Sequence, residues 1–310
     1  MARMKVLIDT DPGVDDALAI LMAHAYADVV ALNIAAGNVS LHHTVANALK
    51  LVETIGAEMP VFGGCATPLV QPAEDAGFVH GKDGFGDAGY LPSTRAAEAE
   101  HAAHALLRLS HEHAGNLAVV AMAPLTNLAM ALQIDRTLPQ RIAKLVIMGG
   151  AVSGHGNTQR VPAEFNIGFD PEAAHVVFSS WPQFTLVDWE ATMRHGIEFE
   201  RLQRWLDADD PRARFFAAIS RKTRDWTRSR GRPRLLVADA LAMAVALQPE
   251  IVLRAEEHHV AIELDGTLTR GATVVDWEDR LGTAANARIV LDVDQAQFET
   301  MIAVALGAAA

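Results

Sequence analysis

Short aliphatic runs alternate along this chain with longer segments whose apolar residues recur at helical spacing, and no feature constrains the fold more. Lys5–Ile8, Val29–Ala35, Leu117–Met122 and Leu145–Met148 read as strands. Val14–Tyr26, Leu41–Ile55 and Leu125–Leu132 read as the helices between them. Such alternation predicts parallel pairing through right-handed crossovers, hence an α/β fold with an open, mostly parallel sheet and helices on both faces. Further on, helical patterns around Phe199–Trp226 and Val237–Leu247 form a helical elaboration. Short strands near Val260–Leu264, Thr273–Val275 and Arg288–Asp292 follow, then a helix from Gln295. No linker, repeat or low-complexity stretch divides residues 1–310, so a single domain is expected.

Composition narrows the partners. With 26 basic against 38 acidic side chains the net charge is −12, which opposes a generic grip on nucleic acid or an anionic membrane. The lone Cys65 excludes an internal disulfide framework and fits a reducing compartment. Asp9 and Asp11 interrupt any apolar run after Met1, so no leader peptide is visible. No stretch reaches the ~18 apolar residues of a spanning helix. A cytoplasmic location is the expectation.

The chemistry concentrates directly after the first strand. Asp9-Thr10-Asp11-Pro12-Gly13-Val14-Asp15-Asp16 packs four carboxylates into eight residues. Ligands of open α/β sheets bind beyond the carboxyl ends of strands, which is where this loop lies. Pro12-Gly13 can turn Asp11 back toward Asp15 and Asp16. Capping a helix N-terminus consumes one or two aspartates, and the rest repel. A hard divalent cation such as Ca²⁺ or Mg²⁺ relieves that repulsion with oxygen ligands alone. Asp239 lies inside the apolar run Leu235–Leu247, where a buried carboxylate also calls for a partner.

Asp9–Ala17 resembles the N-terminal signature of the calcium-dependent, inosine–uridine-preferring nucleoside hydrolases. The resemblance continues through Gly37-Asn38-Val39-Ser40, Asn47 and the Gly-rich loop His80–Gly86. Ala123–Ala129, Met148–Ala151 and Ala163–Ile167 with Asp170–Ala174 extend it, and Ala238–Ala242 and Thr273–Trp277 complete it. It implies the nucleoside hydrolase fold and cleavage of ribonucleosides to ribose and free base. Ca²⁺ would be held by Asp11, Asp16, Asp239 and the backbone carbonyl of Thr126. Asp15 would be the general base toward metal-activated water, with inversion at the anomeric carbon. Asn38, Asn157, Glu164 and Asn166 would hold the ribose. A homodimer or homotetramer acting on a small nucleoside is the implied assembly.

The chain departs from that pattern at two places. Ala238 stands where many relatives carry a histidine that protonates the leaving base. Glu190, within Val187–Thr192, stands where a Gly-Leu-Asp pattern is usual. His80 is the nearest substitute donor, and stacking of a purine on Phe85, Phe165 or Trp226 is another route to leaving-group activation. Arg221–Arg234 holds seven basic residues in fourteen and flanks the implied pocket as a candidate lid. The pairs His111/His113 and His258/His259 lack a third ligand at metal-binding spacing.

Two other readings stand beside the hydrolase. Asp9-Thr10-Asp11 after a strand superficially matches the nucleophile loop of haloacid-dehalogenase-type phosphatases, but Asp15-Asp16 and Asp239 have no place there. A non-catalytic nucleoside- or ribose-binding relative, lacking the acid at position 238, is the alternative.

Overall fold

The strand-forming runs pair in a computed structural model that describes residues 3–308. Met1 and Ala2, at the head of the segment read for a leader, lie outside the described residues, as do Ala309 and Ala310. In chain order the strands are β1 (Lys5–Thr10), β2 (Asp28–Ile34), β3 (Val61–Gly63), β4 (Leu117–Ala121), β5 (Ile142–Met148) and β6 (Phe184–Val187). Two short strands, β7 (Ile197–Glu198) and β8 (Arg234–Leu235), form a separate antiparallel pair. β9 (Val252–Ile262), β10 (Thr273–Asp276) and β11 (Ala287–Val293) complete the set.

Nine strands form one sheet in the order β10-β9-β11-β6-β5-β4-β1-β2-β3. From β3 across to β11 every pairing is parallel. Only β9 runs against its neighbours β11 and β10. The sheet is therefore open and mostly parallel, as the alternation requires.

Side-chain alternation sorts the core into two layers. Val6 and Ile8 of β1 join a layer with the helices Val14–Tyr26, Ala238–Leu247 and Gln295–Ala305. Leu7 points the other way, toward the helices Ala102–Glu112, Thr126–Ile134 and Pro171–Ser180. Because both faces are covered, these strands read as unbroken apolar runs rather than alternating ones.

β1 is the point where the chain changes direction across the sheet. β2 and β3 extend it on one side, β4, β5 and β6 on the other. The crevice beyond the carboxyl ends of β1 and β4 is the natural ligand position in such a sheet.

Two expectations need correction. The pattern around Phe199–Trp226 resolves into two helices, Phe199–Leu206 and Pro211–Ser229. Asp210 accepts the Arg212 N–H at 2.8 Å and Pro211 fills the first turn, which starts the second helix afresh. β9 begins well before Val260, because its early residues Arg254, Glu256 and Glu257 are exposed and carry no apolar signal. Among the described residues, no helix is long and apolar enough to cross a membrane.

Candidate active site

The loop after β1 turns directly into the helix Val14–Tyr26, whose first turn carries Asp15 and Asp16. Asp16 performs the capping that any helix start demands. Its carboxylate accepts the N–H of Gly13 at 2.9 Å and of Asp11 at 3.3 Å, the Thr10 hydroxyl, and the Asn38 amide at 3.0 Å. Asp11 turns back toward β2, where its Oδ2 takes the Asn38 N–H at 2.6 Å. Gly37 permits that approach, since a Cβ there would lie 2.1 Å from the same oxygen. The other oxygen, Asp11 Oδ1, is buried and has no hydrogen-bond partner.

Asp239 arrives from the far end of the chain. Val237 to Ala246 are all buried, so the helix Ala238–Leu247 is apolar on every side and interior. Asp239 sits in its first turn, and its ligand atoms and those of Asp15 and Asp16 lie within 4.8 Å of one another. The backbone N–H groups that open this second helix, at Ala238 and Asp239, favour the charged form of the Asp15 carboxylate, which belongs to the first.

Electrostatics mark the cluster as incomplete. Burial, then repulsion from Asp16, pushes Asp11 well above the usual carboxylate range. Asp239 rises likewise, through burial and then Asp15, Asp16 and Asp11. Asp16 is raised by burial and by Asp15. Asp15 is pushed by burial to about 6, with the helix N–H groups opposing the rise. A buried unpaired carboxylate costs several kcal/mol. Asp15, Asp16 and Asp239 converge within 4.8 Å, while Asp11 stands outside that group but repels Asp239 and keeps an orphan oxygen; the set fits a divalent cation bound by hard oxygens. Thr126 is buried at the start of the helix Thr126–Ile134, one residue past the cap position at Leu125, and its hydroxyl donates to Asp170 at 2.7 Å.

Above the cluster opens a cavity of about 320 Å³. Asp15, Asn38, His80, Asn157, Glu164, Asn166 and Asp239 line its polar end, while Asp11 and Asp16 lie beneath it. Glu164 and Asn166 are buried rather than exposed loop polars. Glu164 caps the short helix Phe165–Phe169 through the Asn166 and Ile167 N–H groups and also accepts Gly150 N–H at 2.9 Å. Burial pushes it to about 7. The Asn166 amide donates to the Met122 carbonyl at 2.8 Å and the Met148 carbonyl at 3.3 Å, bracing the ends of β4 and β5.

His80 sits 3.9 Å from Asp15, yet this is no ion pair. Its Nδ1 accepts the Val14 N–H at 3.1 Å, and burial drives the ring down to about 4. The imidazole is therefore neutral near pH 7, with its proton on Nε2. Gly13 makes room for this ring, because a Cβ there would meet Nδ1 at 2.5 Å.

The opposite wall is aromatic and basic. Phe78, Phe165, Trp189, Trp226, Arg230 and Arg232 line it. The rings of Phe78 and Trp226 lie 6.2 Å apart, and the Arg230 guanidinium stacks 4.5 Å from Trp226. Phe85 does not belong here. From within the Gly-rich loop it is buried against Phe215, with ring centroids 5.6 Å apart. Phe78 and Trp189 were not singled out in the sequence; their only signal is adjacency to His80 and to the altered segment around Glu190. The basic stretch Arg221–Arg234 does flank the mouth.

Behind the site, Asp9 faces the other layer and takes the Asn127 amide at 3.1 Å. Burial pushes it to about 8. Of the two histidine pairs, His258 meets Trp277 edge to face, while His111 lies exposed in the last turn of a helix and His113 is its half-buried C-cap.

Residues 6–300 match the inosine-uridine preferring nucleoside hydrolase family. The non-specific ribonucleoside hydrolase RihC of Klebsiella pneumoniae subsp. pneumoniae is 36% identical over 299 residues, covering 96% of each chain. RihC of Salmonella enteritidis is 34% identical over 304 residues, covering 97% of each. Among solved structures, an inosine-guanosine nucleoside hydrolase superposes with a TM-score of 0.91 at 32% identity, covering 99% of both chains. A plant nucleoside hydrolase gives 0.92 at 30% identity, covering 99% of this chain and 100% of its own.

Proposed function

The chain belongs to the inosine-uridine preferring nucleoside hydrolase family, and from that premise we propose that it cleaves the N-glycosidic bond of ribonucleosides to ribose and free base, with Ca²⁺. The observation that carries the reading is the cup of Asp11, Asp15, Asp16 and Asp239, gathered from both ends of the chain and raised in pKa by burial and mutual repulsion. Asp11, Asp16 and Asp239, with the Thr126 carbonyl, would hold the ion. When bound, it supplies positive charge that keeps the carboxylates ionised and makes nearby water more acidic.

Asp15 is the general base. The N–H groups of Ala238 and Asp239 favour its ionised form, and it lines the cavity. It takes a proton from water as the oxygen adds to the anomeric carbon opposite the departing base, which inverts that centre. Asn38, Asn157, Glu164 and Asn166 hold the ribose hydroxyls, so that binding energy orients the sugar for reaction.

The leaving base departs toward the aromatic wall with the electron pair of the broken C–N bond and takes its proton from solvent water. Ala238 offers no proton, and a ring held near 4 makes His80 a hydrogen-bond donor through Nε2 rather than an acid. Trp226, with Phe78 and Phe165 beside it, supplies a stacking surface for the heterocycle. The same features keep a ribose-binding, non-catalytic relative as the second reading. Incubating the protein with purine and pyrimidine ribonucleosides, and resolving free base and ribose, decides between them. Inverted ribose as the first-formed anomer supports the mechanism; tight ribose binding without base release favours the second reading.

A further inference from the structure

The stretch from Gly149 to Glu164 crosses the pocket without regular secondary structure beyond one bridge, yet its amides are consumed in a definite pattern. Val152 N–H goes to Asp188 at 3.1 Å. The Ser153 N–H at 3.0 Å, the Ser153 hydroxyl at 2.7 Å and the His155 N–H at 3.1 Å all go to Glu190. One buried carboxylate therefore fixes a turn that leads directly into Gly156 and Asn157, both on the cavity wall. Glu190 lies one residue past Trp189, which lines the same cavity, so the helix Trp189–Arg194 serves wall and loop together.

We propose that Glu190 is a positioning residue for substrate binding, which tethers the Ser153–His155 turn so that Asn157 meets the ribose already in place. The inference rests on the ribose role of Asn157 given above. A loop of this length would otherwise sample many conformations, and each would have to be narrowed again when substrate binds. Asp188 supports the tether from the other side. It caps the helix through Ala191 N–H at 2.8 Å while its other oxygen takes Val152 N–H, so the carboxylates at positions 188 and 190 hold neighbouring residues of the same turn. Glutamine at position 190 keeps an oxygen for the loop amides, whereas alanine removes it.

Glu190→Ala, Glu190→Gln and Ser153→Ala are compared with the unaltered chain in inosine hydrolysis and in amide exchange over residues 151–157. The expected result for Glu190→Ala is a KM raised about tenfold or more, the scale of losing charge-assisted bonds, with kcat within about threefold and faster exchange. Glu190→Gln should return KM to within about threefold. An unchanged KM in folded Glu190→Ala, a fall in kcat alone, or no rescue by glutamine would overturn the proposal. If Glu190→Ala does not fold, Ser153→Ala decides, with a raised KM supporting the tether and an unchanged one refuting it. Absence of turnover in the unaltered chain sinks the hydrolase reading instead; amide exchange then judges the tether alone, faster exchange supporting it and unchanged exchange overturning it.

Discussion

The backbone N–H of Ala238 favours the charged form of the Asp15 carboxylate, the general base proposed above. That support comes from the main chain and needs no side chain at position 238. Asp15→Ala should therefore fold, bind ribose, and lose about 10²-fold or more in turnover, the span expected for removing a general base. Steady-state kinetics beside a thermal melt measures this. A drop in Tm that accounts for the lost activity would contradict it.

Stability of the metal-free chain should fall as pH rises. Burial raises Asp9 to about 8, Glu164 to about 7 and Asp11 well above an ordinary carboxylate. These groups keep protons in the folded chain that the unfolded chain releases near pH 4, so their contribution is whole below that pH. It drains away as pH climbs through the folded values, at up to ~1.4 kcal/mol per pH unit for each proton. In chelator, Tm should decline from pH 5 to pH 8. Added Ca²⁺ should raise it most at pH 8, where the ion displaces fewest protons. A chelated protein that gains stability with pH would refute this.

Gly37→Ala should damage the site while leaving every carboxylate residue in the sequence unchanged. Its Cβ would fall 2.1 Å from Asp11 Oδ2 and 2.9 Å from the Pro124 ring. Asp11 must then move, and the Ca²⁺-induced rise in Tm should shrink together with turnover. Calorimetry with and without the ion reads the effect directly.

Trp226→Ala should alter base preference. Base–aromatic stacking is worth about 1–3 kcal/mol, and purines present the larger face. We expect kcat/KM for inosine to fall about tenfold and that for uridine to fall less. Equal losses on both would leave Trp226 a wall residue with no role in recognition.

The sequence revealed those parts of the molecule whose signal is local. Leu117–Ala121 and Leu145–Met148 are apolar because both sheet faces are covered, so their pattern alone marks them as strands. The aspartates of the first loop were legible because four like charges in eight residues demand a partner. β9 was mostly hidden, since one exposed face fills it with Arg254, Glu256 and Glu257. Phe85 misled, because apolarity does not say toward which interior a ring points; it faces Phe215. Glu190 looked like a mere departure. Its partners, Ser153 and His155, are remote in sequence, and only folding brings them together.

The most direct measurement strips the protein with chelator, removes the chelator, and titrates Ca²⁺ while following inosine hydrolysis. The account predicts negligible base release at first, rising to a plateau near one ion per chain, with no recovery in Asp239→Asn. Full activity before any ion is added, in protein proven free of divalent metal, would contradict it.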